Sequence, residues 1–281
     1  MKKKLYFCRG MNAQIIKKQP RLTIRLTSGG LSFSVVDPTK EEQISYEPYV
    51  MKSGISQAAN LRSALSTAVL TNEDYQRTQV IVDSPMLLIP LDEYNNDEKD
   101  ELYRHSYPQD DQTIPTIVES MVLHQFNTVI LFAINRDVKT VIEDHFKDVR
   151  YSHVCVPVWQ HIHHRSFTGP RQKLYAYFFD GQVNVFSFQQ NHLRFVNTFA
   201  NANANNASFF LLYVWKQLGM DQQRDELHLL GTIPEKEEFV EELKKYLKNV
   251  YTLNPVAEYN RAPITQIAGI PYDLVTLYIR S

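Results

Sequence analysis

The chain lacks any apolar run that approaches the ~20 residues needed to span a bilayer; the longest, Val129–Ile134 and Phe209–Trp215, are of core length. Its start, Met1-Lys2-Lys3-Lys4, has the charge of a signal peptide, but Arg9 closes the apolar stretch Leu5–Cys8 before an h-region forms. Cysteine is nearly absent. Cys8 and Cys155 stand far apart and form no metal or redox motif, so a reducing cytoplasm is the expected setting. An excess of charge is missing too: Lys+Arg 30 against Asp+Glu 31 leaves a formal net charge of -1. That gives no general electrostatic attraction to nucleic acid or to an anionic membrane. What the sequence does hold is 43% hydrophobic and 22% charged residues over 281 positions, enough for a full core and, by length, for two domains.

A repeat organises it. Leu22-Thr-Ile-Arg-Leu-Thr-Ser-Gly29 aligns with Leu174-Tyr-Ala-Tyr-Phe-Phe-Asp-Gly181, with the turn glycine in the same place. Each glycine is followed by alternating apolar residues, Leu31, Phe33 and Val35 in one copy, Val183 and Val185 in the other. Period-two alternation around a Ser-Gly-Gly or Asp-Gly turn predicts a β-hairpin. A third strand follows each hairpin (Gln43–Met51, His192–Phe199), then a helix (about Ser56–Leu70, about Ala207–Leu218) and a fourth strand (Gln79–Val82, Glu226–Leu230). The same five elements in one order predict two lobes, each with a mixed sheet whose first three strands are antiparallel.

After the fourth strand the copies diverge. Residues 84–127, with the acidic stretch Asp92–Glu101 and the polar Pro108–Gln112, read as an insertion in a first lobe spanning 1–158. Strand Thr128–Ile134, helix Arg136–Phe146 and strand Ser152–Val158 are expected to resume its core. Residues 159–171 read as a hinge. The second lobe, 172–281, continues through helix Lys236–Leu247, strand Val250–Leu253 and a C-terminal helix around Tyr272–Tyr278.

Two such units facing each other resemble the actin-like ATPase superfamily, with its duplicated ribonuclease H-like fold. Tyr175–Gln189, Leu193–Phe199 and Leu227-His-Leu-Leu-Gly-Thr-Ile-Pro234 resemble the bacterial actin-like proteins that scaffold pilus and secretion machines. The whole chain is similar to an uncharacterised bacterial family, of Bacteroidetes type, with that fold. The resemblance implies an interlobe cleft for Mg·ATP, with an Asp-x-Gly at each hairpin tip. The glycine admits a phosphate to the backbone N–H groups and the Asp organises the hydrated metal. Here the glycines are Gly29 and Gly181, but Thr27 and Phe179 stand where the aspartates belong. Asp180 is one residue off, on the opposite face of the strand, and suits an Asp-Gly turn in its own right. The adenosine turn reads Gly231-Thr232, with one glycine where the family has two. Thr27, Ser28, Gly29, Gly30, Asp180, Gly181, Gln182, Gly231 and Thr232 are therefore the candidate cleft residues, in a site that has lost its signature turns.

Other constellations carry less. His161-Ile-His163-His164, with His153 and Cys155, has no second Cys/His cluster to complete a zinc site and reads as a polar hinge segment. Ser28-Gly29-Gly30 is too short for a P-loop and lacks its Lys, and no Gly-x-Ser-x-Gly elbow is present. Asp83 would suit a two-metal nuclease, but its partner on the first strand, near Leu26 or Thr27, is missing. In Asn201–Asn206 the asparagines read as a helix cap and surface loop. The expected function is a non-catalytic actin-like scaffold, without a cofactor, that binds a protein partner or forms a homodimer. The alternative is a nucleotide- or phosphometabolite-binding protein or kinase of the same superfamily, using ATP.

Overall fold

The computed structural model describes residues 19–37, 44–108, 115–166, 169–189, 192–200, 203–254 and 262–279. The chain opens with β1 (Arg21–Leu26), β2 (Leu31–Val36) and β3 (Ile44–Tyr49), then α1 (Gln57–Thr67) and β4 (Thr78–Val82). An excursion follows: β5 (Met86–Pro90), α2 (Lys99–Ser106), β6 (Thr116–Leu123) and β7 (Thr128–Asn135). The first lobe closes with α3 (Arg136–His145), β8 (Val149–His153) and α4 (Cys155–Ser166). The second contains β9 (Lys173–Phe179), β10 (Gln182–Gln189), β11 (His192–Phe199), α5 (Ala204–Gln217), β12 (Glu226–Gly231), α6 (Lys236–Lys244), β13 (Asn249–Thr252) and α7 (Tyr272–Ile279).

Two five-stranded sheets share one topology, β3-β2-β1-β4-β8 and β11-β10-β9-β12-β13. In each, the first three strands are antiparallel and the last two join the first in parallel. The central strands are buried on both faces, which is why Lys173–Phe179 reads as a continuous apolar run. Period two divides that strand between two cores. Leu174, Ala176 and Phe178 pack under α5 and α6, while Tyr175, Tyr177 and Phe179 join the core shared by both lobes.

The last helix of each lobe packs across the boundary. Trp159 of α4 donates its indole N–H to Asn184 Oδ1 on β10 at 2.9 Å. Tyr278 of α7 pairs its hydroxyl with Ser34 on β2 at 2.7 Å, and α4 and α7 lie against each other. No helix among the described residues is long and apolar enough to cross a membrane.

The structure departs from the sequence reading in the first lobe. Thr128–Asn135 is the centre of a separate antiparallel sheet, order β5-β7-β6, rather than a strand of the main sheet. Val129, Leu131 and Ala133 face Tyr103 of α2, whereas Ile130, Phe132 and Ile134 face the main core. Burial on both faces gave it the composition of a central strand. The expected strand Ser152–Val158 ends at His153, and Trp159–Ser166, expected in the hinge, continues helix α4. Val154, Val156 and Val158 suggest a strand, but α4 begins at Cys155, and residues 155–159 are buried without a break, so no period in burial marks the helix. His161 and His163 are buried on that helix, with His163 packed between Phe126 and Phe188, so this is not a polar hinge. Asn203 caps α5 by accepting from the Asn206 N–H. Asn201 and Ala202, Gln43, and most of Pro108–Gln112 lie outside the described residues.

Both tryptophans of the chain report on this arrangement, Trp159 in the shared core and Trp215 in the outer core of the second lobe. Because α4 and α7 tie the lobes together, Trp159→Phe and Trp215→Phe should each unfold in urea as one transition. In each variant, the remaining tryptophan's fluorescence and far-UV circular dichroism should give coincident midpoints. Separate midpoints would mean that the lobes unfold independently.

Candidate functional site

The two hairpin tips meet. In the second, Asp180 and Gly181 have φ of +45° and +74°, the signature of a two-residue type I′ turn. In the first, the Thr27 N–H donates to the Gly30 carbonyl at 2.9 Å. Gly29 has no room for a side chain: a Cβ there would lie 2.7 Å from Asp180 Cβ and 2.8 Å from its Oδ1. Its lack of a side chain thus accommodates the opposite tip. Gln182 Nε2 crosses the same seam to Asp83 Oδ2 at 2.7 Å and Ser28 Oγ at 3.3 Å, and Ser28 donates to Asp83 at 3.3 Å.

Beneath the tips lies a buried ionic network. Arg25 on β1 donates from Nε to Asp273 Oδ2 at 2.8 Å and from Nη2 to Asp180 Oδ2 at 2.9 Å. Its Nη1 reaches Thr27 Oγ1 at 3.2 Å. Asp273, fully buried in the first turn of α7, also accepts the Tyr177 hydroxyl at 2.8 Å. In the repeat alignment Arg25 and Tyr177 are equivalent positions on β1 and β9, and both converge on one carboxylate. Burial alone would lower the Arg25 pKa, but Asp273, Tyr177 and Asp180 outweigh it and hold the guanidinium well above its ordinary value. Burial raises the Tyr177 phenol, and Asp273 adds to the shift.

The candidate residues therefore separate into groups. Gly29 of one lobe abuts Asp180 of the other, and Ser28 accepts from Gln182. Thr27 lies beneath them as an acceptor for Arg25, while Gly30 and Gly181 belong to the same turns but have open space where a Cβ would stand. Thr27 and Phe179 are both buried, at 0% and 4% exposure, and neither presents a charge. Gly231 and Thr232 take part in a different contact. A Cβ at Gly231, φ +80°, would lie 2.1 Å from the Phe178 carbonyl, to which the Thr232 N–H donates at 3.0 Å. Gly231 is thus accounted for by the approach of β9. Among the described residues no group of three or more His, Cys, Asp or Glu side chains is placed to hold a metal. Neither tip presents the Asp-x-Gly carboxylate that the resemblance places beside Mg·ATP. Asp180 fills the space between the tips, and its carboxylate is paired to Arg25.

Sequence reasoning missed Arg25, Tyr177 and Asp273. The available signals were an arginine in an otherwise uncharged stretch of strand and one acid in an apolar C-terminal helix. Asp83, weighed only as a nuclease ligand, stands beside the seam. His153 lies nearby: its Nδ1 accepts the Cys155 N–H at 3.2 Å, so Nε2 carries the proton donated to the Ser84 carbonyl at 2.9 Å. Burial lowers its pKa, which favours this neutral form.

Two sheets of one topology joined by crossed terminal helices define the class: the chain has the actin-like ATPase fold. A Bacteroides thetaiotaomicron protein with an actin-like ATPase fold and unknown function matches with a TM-score of 0.77 at 27% identity, over 92% of this chain and 100% of that one. The PilM–PilN type IV pilus biogenesis complex matches with a TM-score of 0.60 at 10% identity, over 92% and 98%. The family described as "Protein of unknown function (DUF3822)" matches residues 11–250, and the chain belongs to it. No curated protein matches the chain by sequence.

Two predictions test the site. Arg25→Met leaves Asp273 buried without its cation and should cost about 3–5 kcal/mol in urea unfolding. Asp180→Asn, where the carboxylate is 21% exposed, should cost about 1 kcal/mol. Equal losses would mean that the network is not centred on Asp273. The second concerns His153. Its folded pKa lies below the unfolded value of about 6.5, so below that pH the unfolded chain binds the extra proton. Stability should fall as pH drops through this window, by at most about 1.4 kcal/mol per pH unit for one proton. His153→Gln should flatten the slope between pH 7 and 5; an unchanged slope would assign it to other groups.

Proposed function

We propose that this chain is a non-catalytic actin-like interaction protein, a cytoplasmic scaffold or regulator that binds a protein partner or a second copy of itself and needs no nucleotide. One observation carries the reading. Where the superfamily brackets a phosphate between two hairpin tips, Gly29 abuts Asp180 and Asp180 is bonded to Arg25. The local charge supports it, because one guanidinium stands among Asp83, Asp180 and Asp273, and a polyphosphate entering here would meet net negative charge. The inserted sheet β5-β7-β6 with α2 offers a partner-specific surface on a fixed scaffold, and its Leu102 and Val122 are exposed. PilM stands in a complex with PilN, which supports the reading as one instance of this fold serving in a protein assembly.

Purified protein should release no phosphate from Mg·ATP above buffer, and a nucleotide panel should leave its Tm unchanged. A ligand at a hundred times its Kd would stabilise by about 2.7 kcal/mol. Affinity purification from the native cell should recover a defined partner, or this chain itself, that is lost with Leu102→Glu/Val122→Glu. Turnover abolished by Asp180→Asn, or a Tm raised by nucleotide, would overturn the reading in favour of the nucleotide-binding alternative.

A further inference from the structure

A cavity of about 250 Å³ lies beside the seam, at the carboxyl ends of the parallel strands β1 and β4 and against the inserted sheet. In open α/β sheets this end is where ligands are bound. Leu26, Val82, Ile134 and Val138 supply apolar wall. Asp83 is the one charged residue that lines it; the remaining polar groups there are neutral amides and hydroxyls.

Asp83 is also uncompensated. Its hydrogen-bond donors, Gln182 and Ser28, are both neutral, and no ion pair among the described residues includes it. Arg25, the cation of the seam, is held by Asp180 and Asp273. His153, near enough to feel the Asp83 charge, is kept neutral by burial. A half-buried carboxylate without a counter-charge, at one end of a cavity whose lining mixes apolar side chains with neutral polar ones, favours a ligand that brings a cation on an apolar stem.

We propose that this cavity binds an aliphatic ammonium or guanidinium group, its methylenes against Leu26, Ile134 and Val138 and its charge on Asp83. A phosphate or carboxylate ligand is disfavoured by the same charge. The cation belongs to a free small amine or to a lysine or arginine side chain of a polypeptide, and the chemistry recognised is common to both. The site shares Asp83 with the seam, whose charge also enters the reading above, but its test uses no nucleotide and no partner, so the two can fail separately.

The test uses the full chain with methyl-labelled isoleucine and valine, titrated with n-pentylamine, pentanol and pentanoate. Pentylamine should saturably shift the Ile134 and Val138 methyl resonances, with pentanol weaker by about tenfold or more and pentanoate without effect. Asp83→Asn, which keeps the shape of the side chain, should reduce pentylamine to the affinity of pentanol. Thr116→Phe, which narrows the cavity away from the seam, should block both. Acetyl-Gly-Lys-Gly-amide separates the sources: the same methyl shifts identify a polypeptide side chain, and binding of pentylamine alone identifies a free amine. Pentanol binding as well as pentylamine, amine binding unchanged in Asp83→Asn, or no methyl shift with any probe would overturn the proposal.

Discussion

The arrangement of the two lobes depends on one buried guanidinium. Taking an arginine side chain out of water costs several kcal/mol after relaxation unless its donors and charge are matched. Arg25 is 4% exposed, so the chain must bring acceptors to it. They come from three places: Thr27 from the turn that follows its own strand, Asp180 from the opposite hairpin tip, and Asp273 from the C-terminal helix. A guanidinium is a planar fork with fixed donor directions, and meeting it fixes the tip of the second lobe and the start of α7 together. Asp273 gains a further share from its place in the first turn of α7, where the helix dipole favours negative charge.

The same constraint explains why the two copies differ on their facing sides. The outward face of each first strand is apolar, Leu22, Ile24 and Leu26 in one and Leu174, Ala176 and Phe178 in the other. The facing sides differ. Thr23, Arg25 and Thr27 lie opposite a lobe whose equivalent residues are Tyr175, Tyr177 and Phe179. Rings keep water from the ion pairs, which strengthens each of them, and the Tyr177 hydroxyl donates to the second oxygen of Asp273. An apolar residue at position 25 would leave Asp273 without its cation. Acids in place of Thr27 and Phe179, as the resemblance would have them, would add unpaired carboxylates to the same buried space.

Much of the fold was legible because hairpins announce themselves. Alternation around Gly29 and Gly181 located both lobes, and the order of elements after each hairpin located the helices that cover the sheets. Legibility failed where burial on both faces erases the period. Thr128–Asn135 reads as a central strand because its two faces serve two cores, and Ser152–Val158 reads as a strand to its end because the start of α4 is buried all round and its valines alternate. The candidate site was legible in part. That Thr27 and Phe179 stand uncharged where the resemblance would have aspartates is visible in the sequence, but the Arg25–Asp180 ion pair beside them is not. Arg25 and Asp273 lie 248 positions apart, and no local pattern links a strand residue to a helix start so distant. Gly29 shows the limit most plainly. In sequence it aligns with the glycine to which the resemblance would assign a phosphate; in the structure the close approach it permits is to Asp180.

Under the proposed function, a contact to Asp180 in place of one to a phosphate changes what kind of device the fold is. A clamp that responds to a ligand needs two lobe arrangements and a ligand with different affinities for them. A bridge made of the chain's own side chains is present in every copy at a concentration set by the fold, and no change in metabolite level removes it. In this reading the relative placement of the lobes is a constant of the molecule, and a partner that recognises it is regulated by abundance or by what else occupies its surface. The inserted sheet adjoins the seam at Asp83, where β4 ends and the excursion begins. A group that binds Asp83 therefore touches both the bridge, through Gln182 and Ser28, and the root of the insertion. If any ligand tunes such a protein, that carboxylate is where the tip contact, the lobe sheet and the partner-facing surface can be moved together.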